Sequence, residues 1–551
     1  MRKLLERVSL ACWNSLLYRN ILFFVATLFV VTFIGYHFGT FDQSIHIPFL
    51  KKMADPSLYP NDRFFDLRFS HFSYFWFLFI PFYRIGFLEI SMFITHFIVT
   101  YLTLYGVWRL TKTLFNTPLT SFLSVVVFIF PHIGFNLLAL IEFSLLNRTF
   151  VLPFLLFAID SYLNRQYLKT YILLGIFYNF HVISVNFVLA MLFLDSLLRF
   201  REVGWKRIIA NHLTCVIFAL PVLVWKARVS PIDFSIHKEW FSLIDKGLLH
   251  HLFIEFSTDS KFLLVFIGGI GTLLMFYISF YFLRRTKLDR IINNFIIAGI
   301  LILIANMIVS RWMPITIIVE SQIARVSVFI LLFGYLYFIH FLITKKQSLP
   351  IIFITIISGS PIIPPLIWYI YYRLKSIQVL KLVSILAFVS TAAFLIYAAK
   401  LGMWYPGIYI FAKKDADYDV QMWARNNTPK DTLFITPPTP WLFYDLEWRV
   451  ISERSTITHL GELAEAAFSP EYISYWKPRF ESLAPHAIEK FRGDVFENKN
   501  IVKIAFNNLS TEDFMHIARK YGASYLVVEK SYSYNFPQLY QNTAYKVYSL
   551  K

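Results

Sequence analysis

Cysteine is almost missing: Cys12 lies near the N-terminus and Cys215 inside an apolar run, and these two are the only ones in 551 residues. A disulfide framework is therefore excluded and a thiolate metal site has no support. The chain has no Walker A loop, no G-x-G-x-x-G behind a strand and no G-x-S-x-G, so nucleotide hydrolysis and serine-hydrolase chemistry have none either. Charge is scarce at 16%, against 57% hydrophobic and 19% aromatic residues and a mean hydropathy of +0.56. That is more apolar surface than a soluble core can use, and the chain reads as an integral membrane protein. Acids are the scarcer sign, 34 against 52 basic residues, for a formal charge of +18. After Lys400 the two signs balance at about 17 each, so the positive excess belongs to the apolar part. Bases beside apolar spans follow the positive-inside rule and suit anionic head groups; they do not point to nucleic acid. There is no internal repeat, low-complexity tract or heptad pattern.

What is present is a succession of apolar runs. Arg2, Lys3, Arg7 and Arg19 precede a run from Ile21 to Phe38, read as an uncleaved first helix with a cytoplasmic N-terminus. Further spans are expected at Leu88–Trp108, Leu119–Phe130, Phe150–Leu163, Ile208–Trp225, Phe262–Leu283, Phe295–Val309, Val326–Ile343 and Leu382–Ala399. Ser73–Pro81 is too short to cross and is assigned to the interface. Tyr171–Leu198 is too long for one span, and Asn179, His181 and Asn186 interrupt it, which predicts two short helices meeting at a polar break. Pro350–Tyr372 carries Pro361, Pro364 and Pro365 between basic ends, which predicts a hairpin entering and leaving on one side. The expected architecture is a mostly α, polytopic bundle of 11 to 13 spans over residues 1–400, followed by a small extracytoplasmic α/β domain over 401–551. Within that domain helices are expected at Asp415–Arg425 and Thr511–Lys520, and strands at Thr432–Thr436 and Ser524–Glu529.

This topology puts four polar segments on the outer side. The first, 39–71, holds Asp42, Gln43, Asp55, Asp62 and Asp66; the others bring Glu142 and Arg148, His181, and Glu320 and Arg325. Ionisable groups near membrane depth are costly, so their gathering on one side points to a site. Each also has a plain structural alternative: a solvated helix-end acid for Asp42, an ion pair for Glu142 with Arg148, a hydrogen-bonded core histidine for His181, a snorkelling side chain for Arg325. Together they suit sugar transfer from an anionic lipid carrier. Asp42 would take the proton of an acceptor hydroxyl, while Arg325 and Arg148, with His181, would receive the charge on a departing lipid phosphate. Gln43, Asp62 and Glu320 are further candidates. Asp42 and Glu142 also suffice to hold one Mg²⁺ or Mn²⁺ against a donor phosphate, although nothing in the sequence requires the ion. The adjacent pair His250-His251 is not read as a metal site, because rings at i and i+1 diverge on a helix.

Several short motifs resemble the GT-C superfamily of polytopic glycosyltransferases: FDQ behind the first helix, DPSLYPNDRF in the same segment, EFSLLNR at Glu142–Arg148, the histidine in GIFYNFHVISVNF, and ESQIAR before a span. WARNNTPKDTLFITPP leading into RVISERS extends the likeness into the C-terminal region. The plan is similar to that of protein O-mannosyltransferases and aminoarabinose transferases. The resemblance implies a polyprenyl-phosphate-sugar donor, a lipid, glycan or protein acceptor, and a multi-pass place in the inner (plasma) membrane. It implies Asp42 as catalytic base, Glu142 as the second-loop acid that places a metal or the acceptor, and Arg325 as a cation near the lipid phosphate. Two positions depart from the family's pattern: Gln43 follows Asp42 where an acid is common, and Glu142 stands where aspartate is common. A transporter, flippase or polymerase of lipid-linked sugars, and a non-enzymatic assembly protein, remain the alternatives.

Overall fold

A computed structural model describes residues 2–60, 62–229, 232–253, 260–400, 402–440 and 443–551. Parts of the expected third outer segment, Lys226–Lys261, and the expected domain start at 401 lie outside those ranges. Among the described residues seven helices are long and apolar enough to cross a membrane: Leu16–Phe33, Leu88–Phe115, Trp205–Val229, Val265–Phe282, Lys287–Trp312, Thr316–Thr344 and Ile377–Lys400. Thr316–Thr344 is the most enclosed, and it is subdivided into Thr316–Glu320, the short 3₁₀ turn Ile323–Val326 and Ser327–Thr344. Ile377–Lys400 lies at the other extreme, with little of its surface covered by protein.

The first apolar run differs from expectation. Its helix begins earlier, at Leu16, and stops at Phe33, while Tyr36–His37 forms a short parallel strand with Ile408–Tyr409. Gly35 makes the break: it sits at φ +98, and a Cβ there would lie 2.6 Å from the Tyr405 carbonyl oxygen. The segment after it is not a solvated loop. Gln43–Ala54 is a helix buried from Gln43 through Lys51, and Arg63–Phe69 is a 3₁₀ helix capped by Asp62, which accepts the Phe64 N–H at 3.1 Å. Its apolar side chains, among them Phe49, Phe64 and Phe65, share one core with Trp240, Leu463, Trp476 and Phe480. The first segment, the third segment and the C-terminal region are therefore packed as one body.

The interrupted stretch forms Tyr167–Tyr178 and Val182–Leu198. At its break the Ser73 hydroxyl donates to the Phe180 carbonyl and the Tyr74 N–H to the Asn179 carbonyl. Asn179 Oδ1 also accepts the Val222 N–H, one residue beyond Pro221 inside the helix Trp205–Val229. The proline-rich stretch forms Leu349–Ile357 and Ile363–Leu374, two arms too short to cross 30 Å of hydrocarbon singly. Trp368 packs on Phe282 and Phe341 near the basic ends of their helices, while the tip at Ser358 accepts from His132 Nδ1 and the Gly359 carbonyl from Ile133 N–H. A hairpin follows. Its tip presses on Gly271, where a Cβ would meet Ile362 N at 2.3 Å.

The C-terminal region is an α/β unit with a five-stranded sheet in the order Ser455–Thr456, Leu433–Ile435, Tyr525–Glu529, Tyr545–Ser549, Gln538–Gln541. The first three strands are parallel and the last two pair antiparallel. Helices Ala416–Asn427 and Thr511–Tyr521 are capped by Asp415 and Ser510. The unit is clamped to the first segment: Lys51 Nζ donates to the Val450 carbonyl (2.7 Å) and to Glu453 (2.9 Å), and the Tyr59 hydroxyl donates to the Arg449 carbonyl (2.7 Å).

Candidate functional site

A cavity of about 1400 Å³ opens between the bundle and the C-terminal region. Its apolar wall comes from helices and includes Phe130, Ile133, Ile357 and Ile363, with Phe394 and Leu395 from the exposed helix Ile377–Lys400. Its lining also includes Asp42, Arg148, His181, Glu320 and Arg325, drawn from four segments far apart in sequence.

Arg148 stands in the first turn of Asn147–Leu163, at a helix start fixed by Thr149, which accepts the Leu146 N–H at 2.7 Å. Its Nε and Nη2 donate to the two oxygens of Glu142 at 2.7 and 2.6 Å, and Nη1 donates to Asp42 Oδ2 at 2.7 Å. Asp42 immediately precedes Gln43–Ala54, and its Oδ1 has no hydrogen-bond donor among the described residues. Glu142 stands behind Arg148 and off the cavity lining, so it orients the guanidinium. The same guanidinium lies between Asp42 and Glu142, where the expected divalent cation would sit.

His181 caps Val182–Leu198. Its Nδ1 accepts the Ser184 N–H (3.2 Å), which leaves the hydrogen of the neutral ring on Nε2 as a donor. Burial, and then the charges of Arg148 and Arg325, hold its pKa well below the usual histidine value, so the ring is neutral at pH 7. Arg325 donates from Nε to Gln322 Oε1 at 2.6 Å and makes no ion pair among the described residues. It lines the cavity. Glu320 lines the same cavity, as does Lys226.

Two of the candidates lie elsewhere. Gln43 is wholly buried, accepting the Gly39 N–H at 2.9 Å and donating to the Leu145 carbonyl at 3.0 Å. It ties the first segment to the second, and an ionised glutamate could not donate there. Asp62 belongs to a separate buried cluster in which Arg449 donates to Asp62 (2.8 Å), Glu447 (3.0 Å) and Glu462 (2.8 Å). Burial pushes the Glu447 carboxyl up to about 8 and raises Glu462 as well, so this group carries less than its formal negative charge.

Sequence reasoning did not single out His46, Asn147 or Glu465, and considered His251 only as half of an adjacent pair; all four line the cavity. His46 was the findable one: it lies four residues after Asp42, one helical turn on. Burial first, then Arg325, holds the His251 pKa down at about 4. No family model matches this chain, and no curated protein matches its sequence.

Proposed function

We propose that this protein is a membrane glycosyltransferase of GT-C type, moving a sugar from a polyprenyl-phosphate donor to an acceptor hydroxyl at the membrane face that carries the C-terminal region. The observation that supports it most is Arg325, which makes no ion pair among the described residues, in a cavity that it shares with Asp42, Arg148 and a neutral His181 and that also has an extensive apolar wall. Such a surface suits a ligand with an anionic head and a hydrocarbon tail. In the reaction Asp42 Oδ1 takes the acceptor proton, the acceptor oxygen bonds to the sugar's anomeric carbon, and the carbon–oxygen bond to phosphate breaks. The phosphate leaves with the electron pair, and Arg325, the remaining N–H groups of Arg148 and His181 Nε2–H receive its charge. The motifs resembling GT-C enzymes support the same roles for Asp42 and Arg325. With the basic clusters in the cytoplasm, the N-terminus would be cytoplasmic and the C-terminal region extracytoplasmic, in the inner (plasma) membrane.

A transporter or flippase of lipid-linked sugars is the second reading, favoured by the hairpin whose tip residues Gly359 and Ser360 line the cavity. One preparation separates the two. Purified protein in liposomes with a labelled prenyl-phosphate sugar transfers label to acceptor under the first reading; under the second it moves intact donor between leaflets. Topology is tested by a cysteine placed between Asn498 and Asn500, which an impermeant reagent should label from outside.

A further inference from the structure

Three ligand-type side chains beyond the Asp42–Arg148–Glu142 group converge on the same cavity. His46 from Gln43–Ala54, His71 just past Arg63–Phe69, and Glu465 in the turn Leu463–Ala466 bring two ring nitrogens and a carboxylate oxygen within 4.8 Å of one another. His46 is 5% exposed, and its Nδ1 is buried with no hydrogen-bond partner. Its ring is held between Trp76, 4.7 Å away, and His71, 4.5 Å away. Glu465 is 4% exposed, and among the described residues its one ion-pair contact is with the His71 ring, whose Nδ1 lies 3.6 Å away, beyond hydrogen-bond reach. A buried carboxylate without a fixed cation and a buried imidazole with a spare nitrogen are each unfavourable. A single divalent ion between them satisfies both.

We propose that His46, His71 and Glu465 bind one divalent transition-metal ion of the Zn²⁺ type, with the remaining coordination position open to the cavity. Two imidazoles and one carboxylate select such a metal over Mg²⁺. The acid pair expected from sequence is the poorer host, since Arg148 already lies between Asp42 and Glu142. His71 Nε2 is 3.1 Å from the Asn147 amide nitrogen, so ligation through Nδ1 turns that amide to present its oxygen to the Nε2 proton. That turn gives up the bond in which Asn147 Oδ1 accepts the Arg148 N–H, which couples ion binding to the backbone at Arg148. The proposal rests on these contacts alone and does not depend on sugar transfer.

The test uses full-length protein in detergent, stripped with chelator and titrated with Zn²⁺ and with Co²⁺. Wild type should bind one equivalent of each, with visible Co²⁺ absorption, and His46→Gln and Glu465→Gln should each weaken binding at least about tenfold. X-ray absorption on zinc-loaded wild type should show scattering from two imidazoles, a readout that holds even if a variant does not accumulate. No stoichiometric uptake, an all-oxygen shell, unchanged affinity in both variants, or binding lost in Asp42→Asn while His46→Gln retains it would each overturn the proposal.

Discussion

Arg449 and Arg148 each gather several carboxylates, one in a sealed core and the other on the wall of a cavity. Arg449 is wholly buried, and Asp62, Glu447 and Glu462 take its donors. Phe64 lies over its guanidinium, 4.7 Å from the ring centroid. Arg148 keeps some exposure, as do Asp42 and Glu142, and one Asp42 oxygen has no donor among the described residues. The same residue types thus make a rivet in one place and an incomplete group in the other. Saturation and burial separate them, and neither can be read from composition. Arg449 joins the C-terminal region to the first segment, whereas Arg148 leaves hydrogen-bonding capacity facing the cavity that Arg325 also lines, and Arg325 makes no ion pair among the described residues.

The largest expected effect follows from the sealed cluster. Arg449→Met leaves three buried acids without their cation and should destabilise the fold by about 3–5 kcal/mol, read as a large drop in unfolding temperature in detergent. Arg325→Ala should leave that temperature unchanged and weaken donor binding by about 1.5–3 kcal/mol, with acceptor binding less affected. Equal donor affinity in variant and wild type would remove Arg325 from the phosphate site. Arg148→Gln sharpens the comparison: with its acids part-exposed, the stability loss should stay near 1 kcal/mol. A loss as large as that of Arg449→Met would make the two clusters equivalent.

The smallest effect is in pH. His251 stays neutral in the folded chain down to about pH 4, whereas an unfolded histidine takes its proton near 6.5. Below 6.5 the unfolded state binds the extra proton, so the stability held at pH 7 is lost as pH falls toward 4. Unfolding temperatures at pH 7 and pH 5 should differ more in wild type than in His251→Gln, and an unchanged difference would exclude His251 as the source.

Long apolar runs made most of the bundle legible, because a span needs about 20 such residues and little else. The break at Asn179–His181 and the hairpin at Pro361–Pro365 were legible for local reasons, polar residues and prolines within apolar stretches. Asp42, Arg148, His181, Glu320 and Arg325 could be grouped because charge asymmetry put their segments on one side. The buried helix Gln43–Ala54 was not legible: Lys51 and Lys52 give it a surface look, and the partner that buries Lys51 is Glu453, some 400 positions away. Asp62 failed as a site candidate for the same reason, since Arg449 decides its role. His46, His71 and Glu465 meet only after the C-terminal region has docked.

The central claim is that Asp42 is the base of a sugar transfer carried out in this cavity. Its most direct test is transfer of labelled sugar from a prenyl-phosphate donor by purified wild type and by Asp42→Asn, with unfolding temperature measured on both. Transfer should fall by about 10²–10⁴-fold while the unfolding temperature holds. Near-normal turnover by Asp42→Asn would contradict the account.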